Sequence, residues 1–169
     1  GWVRRFGEQQ SPQTYRRPVG SARVRAFAVF DNPIVHSTVM LRRDVLPQSE
    51  VAYRVDFADA EDYDLWSRLL EVTQGDNLSE VLLDYRVHGQ SVTLQKTEAM
   101  DQIACLVLAR ELKRVGLTPT AEELMRHRYW STGRFTTDDS SWELDAAEQW
   151  LVRLLDANRA SCACDPSAL

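Results

Sequence analysis

The sequence predicts an α-rich α/β fold, with a few short strands and about four helices. Two observations carry this reading. Apolar residues recur at helical spacing over 59–73, 94–115 and 142–158. Two other stretches, Ile34 to Leu41 and residues 80–88, have the β-branched content and the alternation of strands.

The bulk numbers set the frame. With 169 residues, the chain fits one domain or one large piece of a domain. It is 44% hydrophobic and 27% charged, which is ordinary for a globular protein. The net charge of −5 argues against nucleic acid as a partner. A local basic patch remains open, because Arg4, Arg5, Arg16, Arg17, Arg23 and Arg25 crowd the first quarter. No apolar run reaches the ~18 residues of a membrane span, and no signal-peptide core is present. The 3 cysteines are too few for a disulfide framework, so a reducing, cytoplasmic setting is expected, membrane-peripheral placement included. Cys105 is expected as a small buried hydrophobe. Cys162 and Cys164 sit in a polar tail without partners for a metal.

Along the chain, residues 1–22 are polar and read as loop with one short element. Trp2 and Val3 look like the end of something that begins earlier. Residues 23–31 fit a short strand or a short helix equally. Asn32-Pro33 signals a turn, and Ile34 to Leu41 then reads as a strand closed by Arg42 and Arg43. Its alternation puts His36 and Thr38 on one face, Ser37 and Val39 on the other. The clearest helix spans 59–73, with Asp59 as N-cap, Asp62 completing a capping box, an Asp64–Arg68 pair and Gly75 as breaker. In the 80–88 strand, Val81, Leu83, Tyr85 and Val87 share one face; Leu82, Asp84, Arg86 and His88 share the other. Gly89-Gln90-Ser91 ends it. Gly116 ends the helix over 94–115, Thr118 and Pro119 open the next, and the tail from Ser161 is expected to be disordered. The short strands read as additions to a sheet whose other strands lie elsewhere.

The acidic cluster Asp56, Asp59, Glu61, Asp62 and Asp64 has two readings. Acids suit the first turn of a helix, because they face its positive end. Alternatively, Asp62 heads the stripe Leu65, Trp66 and Leu69, where a carboxylate beside the sheet can take a proton from a bound hydroxyl. Helix amides would keep it ionised. His88, at a strand end, is either a packing residue or a metal ligand. His36 reads as an edge-of-core histidine, and Arg42 and Arg43 as solvated surface. Trp130, Trp142 and Trp150 suit helix packing. Nothing resembles a phosphate loop, a nucleophile elbow or a Cys-His pair.

Three segments occur in linked order: Asn32-Pro33-Ile34-Val35-His36-Ser37-Thr38-Val39-Met40-Leu41-Arg42-Arg43, then Ala60-Glu61-Asp62-Tyr63-Asp64-Leu65-Trp66-Ser67-Arg68-Leu69, then Asn77-Leu78 with Val81-Leu82-Leu83-Asp84-Tyr85-Arg86-Val87-His88. Together they resemble the acceptor-side, C-terminal half of a family 2 glycosyltransferase over residues 30–93, and loosely beyond. The resemblance implies a GT-A fold and inverting transfer of a sugar from a nucleotide-sugar donor to the hydroxyl of a saccharide or other acceptor. It implies that Asp62 is the catalytic base, that Glu61, His36 and Trp66 contact the acceptor, and that His88 helps hold a divalent metal, Mn or Mg, or the donor diphosphate. Residues 1–93 would then belong to the catalytic domain, 94–160 to a C-terminal helical extension and 161–169 to the tail. The family's donor-binding half, with its Asp-x-Asp metal motif, has no counterpart here. Asp62-Tyr63-Asp64 has the letters of that motif in the wrong place, and Gln48 to Tyr53 lacks the family's Gly-Gly-Tyr turn. By itself the chain is therefore expected not to turn over substrate. Two readings compete: a non-catalytic binding or assembly module that retains the fold and, more distantly, a metal-dependent hydrolase. An exposed sheet edge would permit self-association.

Overall fold

The computed structural model describes residues 1–7, 10–45, 52–88, 97–133 and 141–169. It is α-rich α/β, as expected. Strands β1 (Trp2–Gly7) and β2 (Gln10–Tyr15) precede helix α1 (Ser21–Phe27), α2 (Glu61–Val72) and strand β3 (Val81–Val87). Helices α3 (Thr97–Arg114), α4 (Ala121–Ser131) and α5 (Ser141–Ser161) follow. The sheet order is β2-β1-β3, with β1 antiparallel to β2 and parallel to β3. No described helix is long and apolar enough to cross a membrane.

Two strands thus occupy the stretch read as loop. Arginine, glutamine and Pro12 hide their strand character, and Pro12 is tolerated because β2 is an edge strand. Cross-strand chemistry compensates: the Arg4 guanidinium donates to both oxygens of Asp84 on β3, each at 2.7 Å. At Gly7 (φ 145) a Cβ would stand 2.0 Å from the Val87 carbonyl oxygen, so the end of the parallel pair needs glycine.

The Ile34–Leu41 strand is not formed. Residues His36–Thr38 make a 3₁₀ turn in which the Thr38 hydroxyl and N–H both donate to the Val35 carbonyl, at 2.9 and 3.0 Å. A local side-chain bond offers this backbone what a ladder would have supplied. Ile34 and Val39 pack instead on Leu65, Trp66 and Leu69 of α2.

Helix α2 starts one residue later than the capping pattern suggests. Ala60 is the N-cap, with no side-chain cap bond, and Asp59 stands before it at φ 73. Asp62 therefore makes no capping box. The Asp64–Arg68 pair does form, at 2.8 Å, and Arg110 of α3 joins it at 2.6 Å. Asp64 is fully buried, so this ion pair fastens α2 to α3. Beside it, buried Glu111 takes the Ser67 hydroxyl, Arg25 and Arg114. Gly116 ends α3 with φ 95. Thr120, not Thr118, caps α4: its hydroxyl accepts from Glu123 N–H, and the Glu123 carboxylate accepts from Thr120 N–H. Only Thr120 has a glutamate three residues ahead to close the box.

The main core joins α1, α3 and α5 through Ala26, Val29, Leu112, Val115, Trp150 and Leu154. The 161–169 segment belongs to it. Cys164 is buried there, its N–H donates to Asn158 Oδ1 at 2.8 Å and its carbonyl accepts from Asn158 Nδ2 at 3.0 Å. A polar residue at the end of a helix thus holds a tail whose composition suggests disorder. Cys105 is buried, as expected. The strand ending at Gly89-Gln90-Ser91, the boundary at residues 93–94, the side chain of Trp142 and most of the Gln48–Tyr53 loop lie outside what is described.

Candidate active site

A cleft of about 440 Å³ opens between the sheet and the start of α2. Its sheet wall follows from strand register. Val3 pairs with Tyr15, and Arg5 with Tyr85, so all four line the cleft from neighbouring strands. Its other wall is the Asp31–Ser37 turn with Asp59, Ala60, Asp62 and Tyr63.

The turn is held from behind by Asn77, which is buried. Its amide donates to the carbonyls of Pro18 and Pro33, both at 2.9 Å. Asn32 is fixed in turn. Its Oδ1 accepts from Ile34 N–H at 3.3 Å, leaving Nδ2 to donate to Asp62 Oδ2 at 2.9 Å. The other oxygen, Asp62 Oδ1, accepts from Tyr63 N–H at 2.7 Å. Tyr63 is anchored by its hydroxyl, which donates to the Ala28 carbonyl at 2.6 Å. Asp62 is thus oriented on both oxygens, half-buried, at the cleft surface.

Burial raises the Asp62 pKa above the ordinary carboxylate value. The bonds from Tyr63 N–H and Asn32 and the nearby His36 oppose this, and Glu61 adds to it. Contrary to the expectation that helix amides keep this carboxylate ionised, desolvation outweighs them. A raised pKa makes the carboxylate a stronger base once ionised.

His36 lines the same cleft. Its Nε2 shares a hydrogen bond with the Tyr53 hydroxyl at 2.9 Å, and its ring stands edge-on to Trp66 with centroids 6.0 Å apart. Trp66 itself is 2% exposed, within the cluster of Leu65 and Leu69, so it backs His36 and does not line the cleft. Glu61 is half-buried at the first position of α2, outside the lining. His88 lies in a different recess, with Gly7, Arg86 and Val87 at the ends of β1 and β3. The structure therefore brings Asp62 and His36 together, with Glu61 and Trp66 close behind, and sets His88 elsewhere.

Among the described residues no three His, Cys, Asp or Glu side chains are grouped to hold a metal ion. The chemistry assigned to this chain is that of its own side chains. Asn32 and Asn77 are the site residues that single-residue reasoning passed over. Asn32 was legible only as a turn signal and Asn77 only as part of a motif, since neither type announces which atoms it will bridge.

The chain is 38% identical over 92 residues to an "O-antigen biosynthesis glycosyltransferase WbnJ" of Escherichia coli, covering 53% of this chain and 35% of that protein. It is 28% identical over 90 residues to an "Uncharacterized glycosyltransferase" of Haemophilus influenzae, covering 53% of this chain and 26% of that protein. The matches thus span only about a third and a quarter of these relatives. No family model and no solved structure matches the chain.

Proposed function

We propose that this chain forms the acceptor-side, catalytic-base part of an inverting glycosyltransferase with the GT-A fold of family 2. The observation that carries the reading is the Asp62 carboxylate, bound on both oxygens, raised in pKa by burial and facing a cleft. The similarity to two glycosyltransferases supports it.

The acceptor hydroxyl lies against Asp62. As its oxygen attacks the anomeric carbon of the nucleotide sugar, its proton passes to Asp62. The bond from that carbon to the diphosphate breaks, and the diphosphate leaves with the electron pair. Asn32 and Tyr63 N–H hold the carboxylate still, which lowers the reorganisation the step requires. His36 contacts the acceptor from the turn side, with Trp66 fixing its ring, and Glu61, next to Asp62 at the start of α2, helps position the acceptor. The Escherichia coli relative is named for O-antigen biosynthesis, and we extend a saccharide acceptor to this chain from that name. The reaction takes place in the cytoplasm or at the membrane periphery.

The test is transfer from a panel of nucleotide sugars to saccharide acceptors by the protein expressed from its full reading frame, with the anomeric configuration of the product read by NMR. A product of inverted configuration is expected. Retention, or donor hydrolysis without transfer, would overturn the reading.

A further inference from the structure

We propose that the cleft carries an anion subsite, formed by Arg5 with Arg17 beside it, which takes the carboxylate or phosphate of the molecule whose hydroxyl faces Asp62. Assigning the anion to that molecule rests on Asp62 being the base.

Arg5, Arg17 and Arg128 all line the cleft. Asp31 bridges two of them, taking Arg17 on one oxygen and Arg128 on the other, each at 2.9 Å. Asp101 takes Arg128 as well, at 2.9 Å. Arg5 has no carboxylate partner among the described residues; its guanidinium lies 4.2 Å from the centroid of the Tyr15 ring. Arg17 and Arg128 thus share two acids, and Arg5 stands without one among the described residues.

Donor geometry points the same way. The Nε of Arg5 and the Nε of Arg17 are both buried, and neither finds a hydrogen-bond acceptor among the described residues. Arg25 and Arg110 also have unbonded buried nitrogens, but each sits on a carboxylate, Glu111 and Asp64. Arg5 does not. A half-buried cation without a counter-ion is unfavourable unless something anionic joins it. A guanidinium's planar fork matches a carboxylate or phosphate. Arg17, 4.5 Å from the same Tyr15 ring, is held by Asp31 through Nη2 and keeps its Nε unbonded, so it stands beside Arg5 in a secondary part.

A cleft of about 440 Å³ accommodates a single small molecule. Arg5 stands on the sheet wall of the cleft, and Asp59 and Asp62 stand on the wall formed by the start of α2. An acidic sugar or a sugar phosphate presents an anion to the first and a hydroxyl to the second. The chain as a whole is negative, at −5, so the attraction is local to the cleft.

The experiment is NMR of the full chain with ¹⁵N-labelled arginine, titrated separately with glucuronate, inorganic phosphate and glucose. Saturable shifts of the Arg5 and Arg17 Nε–H signals are expected with glucuronate or phosphate and not with glucose; the tighter anion identifies the group. Arg5→Gln should weaken binding at least tenfold. Arg5→Lys keeps the charge without the Nε donor and should weaken it several-fold, whereas the exposed Arg159→Gln should bind like the parent. Absence of a saturable Arg5 shift, or equal binding by Arg5→Gln, would overturn the subsite. Because no turnover is needed, anion binding would persist if Asp62 proved not to be the base, and its absence would leave the base assignment standing.

Discussion

At the scale of single residues, the protein places a few side chains where their bonds leave little choice of role. Asn32 is the clearest. Replacing it with alanine removes one of the two donors on Asp62. Because that bond lowers the Asp62 pKa, its loss moves the pKa further up. The expected outcome is about a 10–100-fold fall in kcat from lost alignment, with the acid limb of the pH–rate profile displaced to higher pH. In the parent that limb is expected above 3.8, the ordinary carboxylate value, because burial raises the Asp62 pKa. An unchanged profile would remove Asn32 from the mechanism. His127 is a second case. Its Nε2–H donates to the Val29 carbonyl at 2.8 Å, and its Nδ1 accepts from the Trp150 indole at 2.9 Å, so the ring is needed neutral. Burial lowers its pKa below the usual 6.5. The neutral ring therefore contributes stability above pH 6.5 that is lost as the pH falls through that value toward the lowered one. Thermal melts between pH 7 and 5 should show this loss in the parent and a flatter response in His127→Gln.

At the scale of elements, what was legible depended on whether the decisive partner was local. The helices over 97–114 and 141–161, the β3 strand and its inward face were readable because period and breakers lie within each segment. β1 and β2 were not readable, because Arg4 needs Asp84 and Val3 needs Tyr15, partners that sequence distance conceals. The His36–Thr38 turn was missed because β-branched residues serve a packed turn as well as a strand. In the site, the acidic residue and the two cleft-wall motifs were visible, but the pKa direction was not, since burial is a property of the assembled cleft. Two substitutions test this scale. Thr120→Ala should destabilise the protein by about 1 kcal/mol, as loss of an N-cap does, and Thr118→Ala should have no such effect; denaturant unfolding distinguishes them. Asp59 stands at φ 73, so Asp59→Ala should cost about 1–2 kcal/mol in backbone strain and Asp59→Gly much less.

At the scale of the whole molecule, two polar fastenings hold the cleft walls in register. Asp64 joins α2 to α3, and Asn77 joins the loop before α1 to the turn bearing Asn32. Asp64 is fully buried against two arginines, so Asp64→Ala should destabilise by about 3–5 kcal/mol, measured by urea unfolding. A surface-like loss under 1 kcal/mol would show that the pair is not a fastening. On the proposed reading this framework presents the Asp62 carboxylate as the base, and the most direct measurement is turnover of Asp62→Asn in the protein expressed from its full reading frame. Asparagine keeps the size and removes the base. With the fold intact by circular dichroism, kcat should fall by about 10²–10⁴, the contribution of a general base, while donor binding is kept. Full turnover by Asp62→Asn would contradict the assignment of Asp62 as the base.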